Sequence, residues 1–317
     1  MKLTLRQMQY VDVLVRHRHF ARAADAVNVS QPALSAQIME MERRLGARLF
    51  ERSKAGVFPT ALCEKLLPVV RRILDDAQTV QDLAAASGGI LAGRLRLGVI
   101  PTIAPYLLPK LMPRANALFP GLDLQIREGM TRSLIEALQA RQVDLALVAL
   151  PIDAQGLESL SLFQDRFVVA KTPGATDLLV GPVHVDEIPA DRLLLLAEGH
   201  CLRDHALEVC GIQREGWTVN FEAMSMATLV QLVSNGLGMT LLPEMAVPFE
   251  NRDGALELVE FVEPCPSRDI GLVWRSGSER SEDYSTFGEL VRELAPKAGS
   301  SLQLLPDPWP AGHESAV

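Results

Sequence analysis

No apolar run in the chain approaches the roughly 18 residues that a membrane-spanning helix needs, which excludes a helical membrane protein. The opening stretch, Met1 to Tyr10, carries Lys2 and Arg6 but no apolar signal core. Secretion is therefore not expected, and a cytoplasmic setting is. Cysteine is scarce. Four in 317 residues are too few for a disulfide scaffold, and in the cytoplasm they are expected as thiols unless a pair is redox-active. Glycine (22) and proline (20) are not enriched, which excludes collagen-like, linker-like and largely disordered chains. What is present is ordinary globular material, 48% hydrophobic and 22% charged. At roughly 150 residues per domain it is enough for about two domains.

The net charge of −8 argues against a whole-molecule nucleic-acid binder. It is unevenly placed, however. Residues 1–86 carry 13 Lys/Arg against 9 Asp/Glu, a net of +4, and the rest carries 18 against 30, a net of −12. A basic head on an acidic body suggests that the head alone meets a polyanion. Four charges is also an excess that chance can produce.

The head reads as a winged helix-turn-helix. Leu5, Met8, Tyr10, Val11 and Leu14 recur at helical spacing, and Ala21, Ala23, Ala24 and Ala26 mark a short helix that others can approach closely. Asn28 and Val29 make a turn, Ser30 is an N-cap, and Pro32 falls in a first turn. Leu34, Ile38, Met41 and Leu45 form the next apolar stripe, which Gly46 ends. Gln31, Ser35 and Gln37 lie off that stripe, beside Pro32, and their amides and hydroxyl suit base edges and phosphates in a major groove. Two short segments around Lys54-Ala55-Gly56 suggest a wing, with Arg52 and Lys54 facing phosphate. The rival reading is a plain helical bundle with a solvated polar face.

Leu66, Val70, Ile73, Ala77, Val80 and Ala84 then follow a heptad seam, with Arg71, Arg72, Asp75, Asp76 and Asp82 outward. The seam is short, so a helix packed on its own domain competes with a dimerising one. Beside a DNA-binding head a dimer is favoured, because two-fold operators need two heads. Ser87-Gly88-Gly89 marks a boundary. The body alternates strands near 95–100, 122–128 and 143–150 with helices. This implies a parallel sheet with its sites at strand ends, where Thr102 and Thr131 both lie. Further strands are expected at 166–170, 193–197, 238–242, 256–261 and 270–274, with a helix at 229–237.

The reactive chemistry gathers in Gly199-His200-Cys201-Leu202-Arg203-Asp204, with His205 and Cys210 following. Positive or hydrogen-bonding neighbours stabilise a thiolate and make it reactive toward peroxide. Cys210 lies nine positions after Cys201. If they are helical, the Cα atoms stand roughly 13 Å apart, and a disulfide needs them within about 7 Å. A bridge would thus force the segment to unwind, which makes the pair a candidate switch. The competing readings are two unrelated buried cysteines, a metal site made of His200, Cys201, His205 and Cys210, and a thiol peroxidase.

Several strings resemble LysR-type transcriptional regulators. In the head these are Phe20-Ala21-Arg22-Ala23-Ala24, Val29-Ser30-Gln31-Pro32-Ala33-Leu34-Ser35 and Leu45-Gly46-Ala47-Arg48-Leu49-Phe50-Glu51-Arg52. In the body they are Val99-Ile100-Pro101-Thr102, Gly238-Met239-Thr240-Leu241-Leu242-Pro243 and Ile270-Gly271-Leu272-Val273, and Leu194 to Cys210 is similar to the redox-switch segment of the hydrogen-peroxide-sensing members. The resemblance implies an all-α winged helix-turn-helix domain over 1–60 and a linker or dimerisation helix over 61–88. It implies a two-lobed α/β effector domain of periplasmic-binding-protein type over 91–298, with lobe II at about 165–268, and a loose tail over 299–317. It also implies Cys201 as the peroxide-reacting thiol, Cys210 as the resolving thiol, and Thr102, Thr131, His200 and Arg268 as holders of peroxide and water.

Expected partners are promoter DNA, hydrogen peroxide, further copies of the chain in a homodimer or homotetramer, RNA polymerase, and glutathione or thioredoxin systems as reductants. No cofactor, metal or enzymatic activity is expected. A member that binds a small organic co-inducer, with the cysteines incidental, is the rival within the family. The sequence departs from the pattern at Cys63, where a Gly is usual, at Met224, where a Thr is expected, at His205, where an amide is common, and at the extra Cys265.

Overall fold

In the computed structural model, residues 3–53, 56–85, 90–174, 179–211 and 222–295 are described, the side chains of 52, 79, 81–85 and 222 apart. The expected break at 87–89, Lys54 and the expected tail lie outside them. Two compact units form, one of residues 1–93 with 139–142, the other of 94–138 with 143–317.

The first unit shows why its helices start and stop where they do. Helix α1 (Leu5–His17) opens on a reciprocal cap. The Thr4 hydroxyl accepts from the Gln7 amide at 3.2 Å, and the Gln7 side chain accepts from the Thr4 amide at 3.2 Å. In α2 (Phe20–Ala26), Ala23 and Ala24 are almost fully buried, as close helix packing requires. Asn28 turns the chain at φ 52°, a left-handed conformation that asparagine tolerates. Helix α3 (Gln31–Leu45) runs from the Ser30 cap to Gly46, whose φ of 69° closes it. Leu34, Ile38 and Met41 are buried, but Leu45, expected as the fourth member of the stripe, is 37% exposed because the helix ends there.

Strands β1 (Phe50–Ser53) and β2 (Gly56–Pro59) pair antiparallel, so the head is not all-α but carries a two-stranded wing. Helix α4 (Ala61–Ala85) begins over Thr60, whose hydroxyl accepts from the Cys63 amide at 3.2 Å, and Cys63 is buried in the head core. Leu66, Val70 and Ile73 also pack on that core, whereas Val80 is 68% exposed. The expected seam thus splits, its first half spent within the head. Arg71, expected outward, instead donates to the buried Asp12 at 2.7 Å, and Arg16 pairs with the same carboxylate.

The second unit runs β3 (Gly93–Val99), α5 (Ala104–Leu118), β4 (Leu122–Glu128), α6 (Thr131–Gln139), β5 (Leu145–Leu150), β6 (Leu157–Lys171), β7 (Leu195–Leu196) and α7 (Cys201–Val209). It continues through β8 (Glu222–Ala223), α8 (Met226–Ser234), β9 (Thr240–Pro243), α9 (Val247–Glu250), β10 (Glu257–Val259), β11 (Ser267–Arg275) and α10 (Ser281–Leu294). The main sheet has the order β10-β6-β11-β5-β3-β4, with β9 also on β6.

The expected parallel sheet is in fact mixed. Strands β3 and β5 run parallel, as do β7 and β8, but β11 is antiparallel to β5 and β6, and β6 is antiparallel to β9 and β10. The reason is that β6 and β11 are the outward and return passes between two lobes. The first part of β6 pairs with β11 up to Arg166, and its last part, from Phe167 to Lys171, pairs with β9 and β10. A strand was expected only over 166–170, because the earlier half of β6 is mostly exposed and reads as polar loop. The expected strands at 193–197 and 256–261 shrink to Leu195–Leu196 and Glu257–Val259, and the helix at 229–237 starts earlier, at Met226 on the Ser225 cap. Gly271 is required by close approach. A Cβ there would lie 2.7 Å from the Leu160 carbonyl and 2.4 Å from a Leu150 methyl.

Candidate functional site

The residues expected around Cys201 come from four segments of the second unit. The turn after β3, closed by the Ile103 amide on the Ile100 carbonyl at 3.0 Å, buries Thr102. After β4, the Gly129 amide bonds the Val99 carbonyl at 3.1 Å and so sets Met130 and Thr131 at the head of α6. Gly199, at φ 95°, faces this turn, and a Cβ on it would stand 3.9 Å from Met130. His200 follows as the N-cap residue of α7, its ring buried and making no cap bond. Cys201 is the first helical residue, half-buried, at a helix end that favours negative charge.

Arg268 is fully buried on β11 directly across from Asp165 on β6. Its guanidinium donates to the Asp165 carboxylate at 2.8 and 3.0 Å, to the Thr102 hydroxyl oxygen at 2.8 Å and to the Thr102 carbonyl at 3.0 Å. Asp165 also accepts from the Met245 amide at 3.1 Å. Since the Thr102 oxygen already accepts from Arg268, its own hydroxyl proton is left to donate elsewhere.

Three groups in this neighbourhood have buried polar atoms without a partner: the Thr131 hydroxyl, both ring nitrogens of His200, and Nδ1 of His205. Buried polar atoms of native proteins are nearly always satisfied, so each of these groups calls for a polar partner, an ordered water included.

Of the positive or hydrogen-bonding neighbours expected for the thiol, the two histidines are of the second kind. Burial pushes the His200 ring below its ordinary range, opposed in part by the Met224 backbone. Burial and then Arg268 do the same to His205. Both rings are therefore neutral at pH 7. Arg203 turns its guanidinium to the Leu196 carbonyl at 3.2 Å. Met224, expected near the pocket, has a 70% exposed side chain.

All four cysteines are free thiols. Residues 201–209 are helical, so helix geometry sets the Cα atoms of Cys201 and Cys210 roughly 13 Å apart. Burial pushes the Cys210 and Cys63 thiols up to about 11 and also raises Cys265. Beneath α7 lies a small half-open cleft of about 10 Å³, room for one water, among Leu195, Leu202, Ala206, Leu229 and Leu241. Among the described residues no cluster of His, Cys, Asp and Glu is placed to hold a metal ion, and no helix is long and apolar enough to cross a membrane.

Asp165 was missed by sequence reasoning. A lone Asp before an apolar run carries no signal until strand register sets it against Arg268. Thr102 and Arg268 are brought into direct contact, and Thr131 and His200 are left with unused polar atoms.

In the head, Gln31 and Pro32 are exposed at the start of α3 and Ser35 is half-exposed. Gln37 is exposed, yet its amide oxygen accepts from the buried Gln7 at 3.2 Å, so it also ties α3 to α1. The backbone of Arg52 lies in β1, opposite Val57.

Comparison with known proteins bears directly on this arrangement. Residues 5–64 match the bacterial regulatory helix-turn-helix protein, lysR family, and residues 88–296 match the LysR substrate binding domain. The chain belongs to the LysR family. This LysR-family regulator is 40% identical over 283 residues to a probable hydrogen peroxide-inducible genes activator of Mycobacterium avium, covering 87% of this chain and 89% of that one. Among solved structures it is similar to a full-length OxyR cysteine-to-aspartate variant from Pseudomonas aeruginosa, with TM-score 0.73, 32% identity, and coverage of 92% and 98% of the two chains. It is likewise similar to an H2O2-bound cysteine-to-serine OxyR variant from Corynebacterium glutamicum, with TM-score 0.62, 33% identity, and coverage of 92% and 94%.

Proposed function

We propose that this chain is an OxyR-like, peroxide-responsive transcriptional activator of the cytoplasm, whose switch is the Cys201 and Cys210 pair. The observation that carries the reading is the set of buried, unpartnered polar atoms on Thr131, His200 and His205, the two histidines standing one residue before and one helical turn after the half-buried Cys201. Hydrogen peroxide has two donors and several lone pairs in a small volume, which suits such a set. Thr102, held from below by Arg268, supplies a further hydroxyl donor.

In the proposed reaction the Cys201 sulfur attacks one peroxide oxygen, the O–O bond breaks, and the other oxygen leaves as water once it gains a proton. The sulfenic acid then condenses with the Cys210 thiol, releasing a second water and forming a disulfide. Because α7 holds the two residues too far apart for a bridge, this second step needs α7 to unwind and to give up the packing of Leu202, Ala206 and Leu207. The altered effector domain (91–298, with lobe II at about 165–268) then changes how the heads (1–60) hold operator DNA and engage RNA polymerase. Copies join as dimers through the linker helix (61–88) and as tetramers through the effector domains. Glutathione or thioredoxin systems restore the thiols. Gln31, Pro32, Ser35 and Gln37 read the groove, and Arg52 and Lys54 hold phosphate.

Peptide mass spectrometry after brief peroxide exposure tests the reading. A Cys201–Cys210 bridge, with promoter response lost in Cys201→Ser, is the expected result. A Cys201→Ser protein that still responds overturns it. A melting shift with an organic ligand that ignores thiol state favours the co-inducer reading instead. Sustained peroxide turnover with a reductant favours a thiol peroxidase.

A further inference from the structure

His205 follows Cys201 by four residues in α7, so their side chains share one face of the helix, with Cβ atoms about 5–6 Å apart. Its Nδ1 is buried and has no hydrogen-bond partner. The charged groups around it are Arg268 from β11, itself bound to Asp165 of β6, and Asp204 and Glu208 of α7. Burial, then the Arg268 cation, lower the ring's pKa below its ordinary range, while Glu208, Asp204 and a contact of the ring with the Cys201 backbone one turn earlier pull the other way. A neutral imidazole beside a thiol has a lone pair free to take a proton.

We infer that His205 is the proton shuttle of Cys201, taking the thiol proton as sulfur attacks and returning it to the oxygen that leaves. The step balances within the pocket. The S–H bond breaks to the ring, the sulfur lone pair bonds one peroxide oxygen, and the O–O bond breaks. The departing hydroxide then takes the proton back from the imidazolium. One sulfenic acid and one water result, sulfur oxidised by two electrons and peroxide reduced by two. Arg268 serves as a brake that keeps the ring from holding the proton once it has been captured.

This inference rests on the peroxide reading, and its test separates the two. Full-length reduced protein is mixed with hydrogen peroxide from pH 5 to 9, acid-quenched, and scored by mass spectrometry for oxidation at Cys201. The unsubstituted chain is expected to react at a rate that is level above neutrality and falls in acid as His205 gains its proton. His205→Gln and His205→Asn are expected to be at least about tenfold slower at pH 7, as loss of an acid–base group entails, with rates that keep climbing with pH. In the unsubstituted protein the His205 Cε1 proton resonance must titrate in step with the rate, a readout that holds even if a variant folds poorly. Amide variants within twofold of the parent at every pH, or a resonance that titrates out of step, overturn the inference and leave the peroxide reading standing. A parent whose Cys201 ignores peroxide at every pH overturns both.

Discussion

Arg268 and Asp165 form the one fully buried ion pair among the described residues, and the Thr102 turn hangs on it. Removing one partner of such a pair leaves an uncompensated buried charge, at a cost of roughly 3–5 kcal/mol. Asp165→Asn is therefore expected to lower the unfolding free energy by about that much in urea titration. An effect below about 1 kcal/mol would show that the pair does not hold the turn. The histidines give a pH dependence. His200 and His205 have folded-state pKa values below the ordinary 6.5, so below pH 6.5 the unfolded chain binds protons that the folded chain refuses. Stability is thus complete above about pH 6.5 and declines in acid, and His200→Gln is expected to flatten that decline in denaturation curves taken from pH 7.5 to 5. Asp144 adds a separate limb. Despite burial, its hydrogen bonds and charge contact with Arg96 hold the carboxyl below its usual range, so its contribution holds above about pH 4 and is lost as pH falls further.

At the scale of the element, the proposed switch requires α7 to change. Its helical form keeps the thiols apart, so any change that weakens the helix favours the bridged form. Ala206→Gly costs about 1 kcal/mol of helix propensity. Through the two-electron relation of 30 mV per 1.4 kcal/mol, that is about 20 mV toward a more negative reduction potential. Thiol–disulfide titration against glutathione or dithiothreitol buffers checks it, and an unchanged or more positive potential would mean that α7 does not melt on oxidation. Hydrogen exchange gives the same information directly. Amides of 201–210 should lose protection after peroxide in the parent and keep it in Cys210→Ser.

For the whole molecule, the uneven charge sets the salt response. The head is basic and the rest strongly acidic, so operator binding is expected to weaken steeply with salt. Lys54→Ala is expected to weaken binding to all sequences alike and to reduce the salt slope by about 1, whereas Gln31→Ala is expected to relax discrimination at one base position by roughly 1–3 kcal/mol. Binding titrations on operator and scrambled DNA at several salt concentrations distinguish these, and a Gln31→Ala loss that is uniform across sequences would remove Gln31 from base readout.

Local signals made the head legible without coordinates. The Ser30 cap, the Gly46 stop and the Leu34, Ile38 and Met41 spacing all act within a few residues of chain, and the structure places each where its chemistry suggests. The cysteines, Thr102, Thr131, His200 and Arg268 could likewise be singled out from short strings. What no string contains is long-range pairing. Only strand register sets Asp165 against Arg268, only the fold turns Arg71 of α4 back onto Asp12 of α1, and only the return pass of β11 makes the sheet mixed. Burial decided the rest. It lowered the pKa of His200 and His205, which the sequence left open as positive or merely hydrogen-bonding, because the desolvation of a ring depends on every segment packed around it and not on its own neighbours in the chain.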